Sequence, residues 1–199
     1  MSRASPREHG KAGLLQFQFD LAAGAMTLPI MSTTQNLEGN DAVDKLRALV
    51  ENTPTCLFGT GLAKIPSHVC PMQVQEVDEL GNLWFFSGAD SAHNQQLTGD
   101  HRVQLSFANP SKIEYLVVSG NATITRERRK IDELWTRAVE AWFPKGKEDP
   151  NLTLLRVTPT VSHYWDTENG KLVTMAKILT AAVTGKTIDE GGRQGDLAV

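Results

Sequence analysis

The chain has 199 residues, 40% of them hydrophobic, which suits one domain with a real core and extra segments at its ends. A formal net charge of −3 and a pI near 6.0 give no electrostatic case for nucleic acid or an anionic membrane surface. No run of 18 apolar residues is present to span a bilayer.

In the first thirty residues, Arg3, Arg7 and Lys11 precede an apolar patch that Gln16, Gln18 and Asp20 interrupt, a poor signal-peptide core. Met31-Ser-Thr-Thr then opens a polar lead-in of the kind found at cytoplasmic N-termini. The expectation is that translation starts at Met31 or Met26, and that residues 1–38 are a disordered or mis-started extension. Asn40 or Asp41 can cap a helix running to about Asn52, with Val43, Leu46, Leu49 and Val50 on one face and Pro54 ending it. Thr55 to Thr60 reads as a strand. Ser67 to Val77 alternates loosely through Val69, Met72, Val74 and Val77, and Pro71 within it implies an edge, a bulge or a ligand-facing position. Cys56 and Cys70 are too few for a disulfide framework and fit a reducing cytoplasm, with one bridge left open.

Asp78-Glu-Leu-Gly-Asn82 supplies turn chemistry, so 67–77 and 82–87 are expected to form a hairpin. Leu83 to Ser87 has the aromatic, apolar character of a buried strand. It breaks at Gly88-Ala89-Asp90 into a short helix, 91–98, with Ser91 as its N-cap. A strand feeding a helix N-terminus leaves backbone N–H groups that can hold an anion such as a phosphate. Arg102 to Ala108 is an alternating strand, and Glu114 to Thr125 the longest one, with a bend or bulge at Gly120. Glu127 to Trp142 reads as one amphipathic helix whose inner face carries Ile131, Leu134, Trp135, Ala138, Val139 and Trp142. Leu152 to Val157 and Val161 to Trp165 read as two further strands. Lys171 to Val183 is compatible with a helix, and Gly185 to Gly195 suggests a poorly ordered tail. The expected organisation is therefore a domain over 39–166, followed by a C-terminal helix and flexible tail over 167–199. Strands at hairpin spacing with peripheral helices point to a small antiparallel barrel.

An ordered series of motifs sharpens this reading: Cys70-Pro71-Met72, Leu83-Trp84-Phe85-Phe86, Ser91, Ser119-Gly120-Asn121-Ala122, Trp135 and Trp142-Phe143-Pro144. Asp149-Pro150, Leu154-Leu155-Arg156-Val157, Tyr164-Trp165-Asp166 and Thr184-Gly185-Lys186 continue it. From about Asp41 to Gly185 the chain resembles the pyridoxamine 5′-phosphate oxidase-like, FMN-binding split-barrel superfamily, and within it the bacterial general stress protein branch. The resemblance implies a six-stranded antiparallel split β-barrel with peripheral helices, and a cytoplasmic homodimer with two flavin sites at its interface. It places Val69, Cys70, Pro71, Met72 and Gln73 beside the isoalloxazine and ribityl chain. Phe86 and Ser87 match a cofactor-contacting pair, and Ser91, Ala92 and His93 match the phosphate-binding turn. Trp142, from the partner subunit, is the candidate that closes the ring pocket. The cofactor implied is FMN, with FAD or a deazaflavin as alternatives.

The chain departs from the family pattern at two points. Relatives read Arg-Pro-Met where this chain has Cys70-Pro71-Met72, and Ser-x-Lys where it has Ser91-Ala92-His93. Both departures remove basic groups expected to neutralise the flavin phosphate. A charge-assisted contact contributes roughly 1.5–3 kcal/mol, so losing two weakens FMN binding by ~10²–10⁴-fold.

Taken without the resemblance, Cys70 reads as a small buried hydrophobe rather than a reactive thiol, and Trp135 and Trp142, seven apart, read as core packing. His68 and His163 have no spaced metal partners, so no metal site is expected. The basic run from Arg126 to Lys130 is a solvated helix start. No general acid or base is assigned, since a flavin carries its own redox chemistry. The reading that follows is a flavin-binding, general stress protein-like chain, possible as a flavin-dependent oxidoreductase. The alternative is a flavin-sequestering or cofactor-free dimer. A true pyridoxamine 5′-phosphate oxidase is disfavoured, because Gly191 to Val199 carries a single basic residue, Arg193.

Overall fold

The computed structural model describes residues 32–167 and 192–199. Residues 1–31 of the expected extension, with its start sites, and the helix expected from Lys171 to Val183 lie outside the described residues. In chain order the elements are β1 (Ser32–Thr34), β2 (Leu37–Glu38), α1 (Gly39–Asn52), β3 (Thr55–Thr60), β4 (His68–Gln73), β5 (Glu76–Val77), β6 (Leu83–Gly88) and α2 (Ala92–Leu97). They continue through β7 (Arg102–Asn109), β8 (Glu114–Thr125), α3 (Arg128–Leu134), α4 (Arg137–Glu140), a 3₁₀ turn (Gly146–Glu148), β9 (Leu152–Thr167) and β10 (Gly192–Ala198).

The apolar spacing of α1 buries Ala42, Val43, Leu46, Leu49 and Val50 on one face. The helix starts slightly earlier than expected, with Glu38 rather than Asn40 or Asp41 at the cap. One sheet holds all ten strands. Its spine runs β4–β3–β7–β8–β9, each pair antiparallel. The far side of β9 is shared: β6 pairs with Leu152–Val157, and β10 with Ser162–Thr167. β1 and β2 add parallel to β10, so the sheet is mixed and not purely antiparallel. Among the described residues it does not close, because β4 has a ladder with β3 alone and β6 has ladders with β5 and β9.

The six-stranded antiparallel barrel is thus replaced, among the described residues, by an unclosed mixed sheet in which β3, β4, β6, β7, β8 and β9 are joined by β1, β2, β5 and β10. Residues 192–198, expected within a flexible tail, are ordered as β10, and 32–38, expected within the extension, form β1 and β2. Tyr164 explains part of this. Its fully buried ring carries a hydroxyl that donates to the Gln35 carbonyl at 2.9 Å, tying the N-terminal strands to β9. Among the described residues no helix is long and apolar enough to cross a membrane.

Three other expectations changed. The strand expected over 67–77 stops at Gln73, and only β5 pairs with β6, so the hairpin is two residues deep instead of running the whole strand. The single helix expected over Glu127–Trp142 breaks at Trp135, whose backbone is extended. Thr136 then caps α4 by accepting from the Val139 N–H. This break rotates Ala138 and Trp142 out of the inner face; Trp142 is 84% exposed. Finally, the two strands expected around Pro159 are one, β9. Pro159 sits opposite Gly120, where the β8–β9 register shifts. A proline lacks the N–H a regular ladder needs, and the bulge supplies a position that does not ask for one.

Two apolar clusters hold the sheet. The main one packs α1 and α2 against one face of it, where Phe58 and Phe85 meet edge to face at 5.2 Å. The second packs α3 and α4 through Ile131, Leu134, Val139 and Phe143 against Trp84 and Leu154 on the other side. β6 is therefore covered on both faces, as its run of large apolar residues requires.

A side chain at Gly120 would collide with the Thr158 carbonyl. Gly120→Ala is expected to lower stability by about 1–3 kcal/mol in urea unfolding. Gly99→Ala, where a Cβ would only touch the Gln96 carbonyl at 3.8 Å, is expected to stay within about 0.5 kcal/mol of wild type.

Candidate functional site

Among the described residues β4 has no ladder on its side away from β3, and β6 has none there beyond its two-residue pairing with β5; side chains meet across the seam between them, and α2 reaches into it. On β4 the burial alternates. His68, Cys70 and Met72 are half-buried on the inner side, while Val69, Pro71 and Gln73 are exposed on the outer one. Cys70 stands opposite Phe58 and His68 opposite Thr60 on β3. On β6 the same alternation sends Ser87 inward, 4% exposed, and Phe86 outward into the second cluster against Trp135 and Phe143. Helix α2 begins after Ser91, whose hydroxyl accepts from the Asn94 N–H at 3.3 Å and so fixes the helix start as expected.

His93 on α2 joins the two edges. Its Nδ1 lies 3.7 Å from the Cys70 Sγ, and its Nε2 lies 2.7 Å from the Ser87 Oγ. The ring is near-parallel to that of His68, with centroids 6.4 Å apart, and tilted against Phe58 at 6.3 Å. Behind it runs a chain of buried hydrogen bonds that determines where the protons are. The Thr153 hydroxyl donates to the Ser87 carbonyl at 2.8 Å, so its oxygen is the acceptor for the Asn94 Nδ2 at 3.0 Å. The Asn94 Oδ1 must then face Ser87 and accept its hydroxyl proton at 2.7 Å. Ser87 has one proton, already given, so it can only accept from His93. The neutral ring therefore carries its proton on Nε2 and turns the bare Nδ1 lone pair toward Cys70.

Charges at this site are suppressed. Burial lowers the His93 pKa below its ordinary value, and the neighbouring His68 lowers it further. Burial raises the Cys70 thiol above its ordinary value. At neutral pH the pair is a neutral thiol beside a neutral imidazole, not a thiolate–imidazolium pair, so Cys70 is no activated nucleophile. Cys56, 2% exposed on the same side of β3, is pushed up to about 12 by burial and then by Cys70; both thiols are free.

The fold thus gathers Cys70, Ser87, Ser91 and His93 from the residues the sequence singled out, with Met72 on the same strand face. Val69, Pro71 and Gln73 face outward and Phe86 lies with the second cluster, while Trp142, expected to act from a partner subunit, stands exposed on the segment after α4. Sequence reasoning missed His68, Asn94 and Thr153. For His68 a signal existed: in a strand, residues two apart share a face, so His68-x-Cys70 is a paired donor set. Ligand-capable atoms of His68, Cys70 and His93 all lie within 4.8 Å of one another. A cleft of about 340 Å³ adjoins the network and is lined by Ala89, Asn94, Gln95, Thr98, Thr153 and Arg126, among others. Arg126, expected only as a solvated helix start, thus stands at the cleft wall and donates to the Pro150 carbonyl at 2.8 Å.

The sequence profile of the family described as pyridoxamine 5′-phosphate oxidase-like matches residues 41–189. Among solved structures, one from Jannaschia sp. CCS1 described as a general stress protein 26 superposes with a TM-score of 0.67. It is 24% identical and covers 80% of this chain and 99% of its own. The general stress FMN/FAD binding protein of Xanthomonas citri is 29% identical at a TM-score of 0.56, covering 64% of this chain and 89% of its own. The protein bli-3 of Neurospora crassa is 26% identical over 113 residues, 53% of this chain, and the match spans 54% of that relative's length.

The placement of the two thiols has a direct readout. In chelator-treated native protein, a disulfide-exchange reagent is expected to titrate one thiol per chain, and Cys70→Ser to abolish that reaction. Because burial raises the Cys70 thiol above its ordinary value, the rate is expected to keep rising past pH 9. Two fast-reacting thiols, or a plateau by pH 8, contradict the arrangement.

Proposed function

The chain belongs to the pyridoxamine 5′-phosphate oxidase-like family, in its general stress protein branch, and from that premise we propose that it binds a flavin, FMN or FAD, at the seam between β4 and β6. The observation that carries the reading is the convergence of Cys70, Ser87, Ser91 and His93, four positions that the family pattern assigns to flavin contacts, at one place in the fold. The FMN/FAD-binding relative from Xanthomonas citri supports it. In this reading the six antiparallel strands act as a split barrel, and the ring system lies along the β4 edge, where Pro71 leaves the ladder open. The flavin, when bound, supplies the redox chemistry of an oxidoreductase; the residues at the seam bind and orient it.

The phosphate end fits less well than the scaffold. Its donors are the Ser87 hydroxyl, whose proton is given to Asn94, the Ser91 hydroxyl, which accepts from the Asn94 N–H, and a neutral imidazole. No cation stands at positions 70 or 93. This observation favours the second reading, in which the chain sequesters flavin weakly or has lost it and keeps the dimer. The dimer itself is proposed from the outer face of the sheet. Register aligns Pro71, Leu57, Ser106, Val117 and His163 in one row across five strands. Leu57 and Val161 on this face are 55% and 62% exposed, with Val69, Tyr115 and Trp165 beside them. An apolar face of this extent fits a second copy of the chain.

Titration with FMN and riboflavin tests the site. Wild type is expected to prefer FMN by less than about tenfold. Cys70→Arg with His93→Lys is expected to gain about 10²–10⁴-fold for FMN and nothing for riboflavin. An unchanged FMN affinity would put the phosphate elsewhere, and no binding of either flavin would select the cofactor-free reading. In light scattering, wild type is expected to be dimeric and Leu57→Asp to shift it toward monomer; a monomeric wild type removes the dimer.

A further inference from the structure

We propose that His68, Cys70 and His93 form a zinc site of the His₂Cys type, with Ser87 as the positioning residue that aims His93 at the metal. The proposal does not rest on the flavin reading. Three features of the geometry carry it.

The first is the donor set. Two imidazoles and one thiol are the combination zinc takes in sites with three protein ligands and one exchangeable position. They come from two elements that the seam brings together: β4, whose alternation puts His68 and Cys70 on one face, and α2. The second is the spacing. Zinc bonds of roughly 2.3 Å to sulfur and 2.0–2.1 Å to nitrogen at a tetrahedral angle hold the two ligand atoms about 3.6 Å apart. The Cys70 Sγ and His93 Nδ1 stand 3.7 Å apart. All three donor atoms are within 4.8 Å of one another, so the His68 ring needs to close by on the order of 1 Å. It sits at the first residue of an edge strand, where such a shift disturbs no second ladder.

The third is the surrounding shell. A zinc-bound histidine ordinarily donates its other ring N–H to a fixed acceptor, which sets tautomer and aim. Here the Ser87 Oγ is that acceptor. Its own proton is committed to Asn94, and Asn94 is held in turn by Thr153. The chain Thr153–Asn94–Ser87 is buried and leaves His93 one way to point its free lone pair: into the space shared with Cys70 and His68. On binding, both imidazoles give lone pairs and the Cys70 S–H bond breaks; its electrons form the sulfur–zinc bond and its proton passes to solvent. The bound site carries a net charge of +1 and keeps a fourth position for water or another small ligand.

The test uses tag-free, flavin-free, chelator-treated full-length protein with Zn²⁺ and Co²⁺ as the probes. Wild type is expected to take up one Zn²⁺ per chain. With Co²⁺ it should show tetrahedral visible bands and a thiolate-to-metal absorbance in the near ultraviolet. Cys70→Ser should lose the thiolate absorbance and bind Zn²⁺ at least about 100-fold more weakly. His68→Ala and His93→Ala should each weaken binding while leaving the thiolate absorbance of any residual complex. Ser87→Ala should keep one-to-one stoichiometry and the thiolate absorbance but lose about 10–100-fold in affinity, which separates aiming from ligation. Cys56→Ser, a buried neighbour outside the trio, should match wild type. Unfolding midpoints in excess chelator identify any variant that fails to fold, and Co²⁺ spectra of the folded ones decide. An octahedral Co²⁺ spectrum without thiolate absorbance, or a Cys70→Ser variant that binds like wild type, overturns the proposal.

Discussion

Among the described residues strand β4 is hydrogen-bonded on one side only, and this shapes the whole site. An open strand edge is a liability in water, because its N–H and C=O groups can pair with another chain. Pro71 blunts it by deleting one donor at the middle of the edge. β6, across the seam, is tied instead to β9 and capped at its end by the turn into α2. The two edges therefore approach without a ladder, and side chains span the gap. His93 does so between Cys70 and Ser87, and beneath β4 the β3 residue Phe58 meets Phe85 of β6 in the apolar interior. Had the sheet closed, backbone would fill the place these three groups occupy.

Polar groups within this gap would be costly if any one lacked a partner. The solution is a short chain in which each proton is assigned. Thr153 gives its proton to the Ser87 carbonyl, Asn94 gives one to Thr153, Ser87 gives its own to Asn94, and His93 gives Nε2–H to Ser87. Removing any member leaves a buried group unpaired. The chain also sets what the site offers a ligand: a lone pair on Nδ1, and no hydroxyl proton to spare from Ser87.

Much of the frame was legible in the sequence because it depends on local spacing. The apolar face of α1, the alternation of β7 and β8, the Ser91 cap and the bulge at Gly120 each follow from neighbours a few residues apart. What was not legible depends on distant partners. Pro159 looks like a strand break until Gly120 stands opposite it. Gly192–Ala198 looks like a tail until β9 offers it an edge. Trp142 sits seven residues from Trp135, which promises a shared helical face, and the Thr136 cap cancels the promise. At the site, Ser87, Ser91 and His93 were found because they lie within one strand–turn–helix unit. Their partners Asn94 and Thr153 were not, since an amide and a hydroxyl 59 residues apart carry no pattern.

The same two positions explain both what the site lacks and what it gains. In the family pattern, residues 70 and 93 carry basic groups, and two fixed cations in a half-buried seam suit a phosphate. With Cys70 and His93 in those places neither position carries a fixed charge, and burial depresses what His93 could contribute. A neutral seam asks less of the desolvation that two buried cations would demand. It also replaces hard, hydrated charge with sulfur and imidazole lone pairs, the donors that borderline-soft metals prefer. His68 completes that set at no cost in topology, because strand alternation already places it beside Cys70. The substitution is thus a change in the kind of ligand the seam can recognise, made by side chains on a backbone that the family shares.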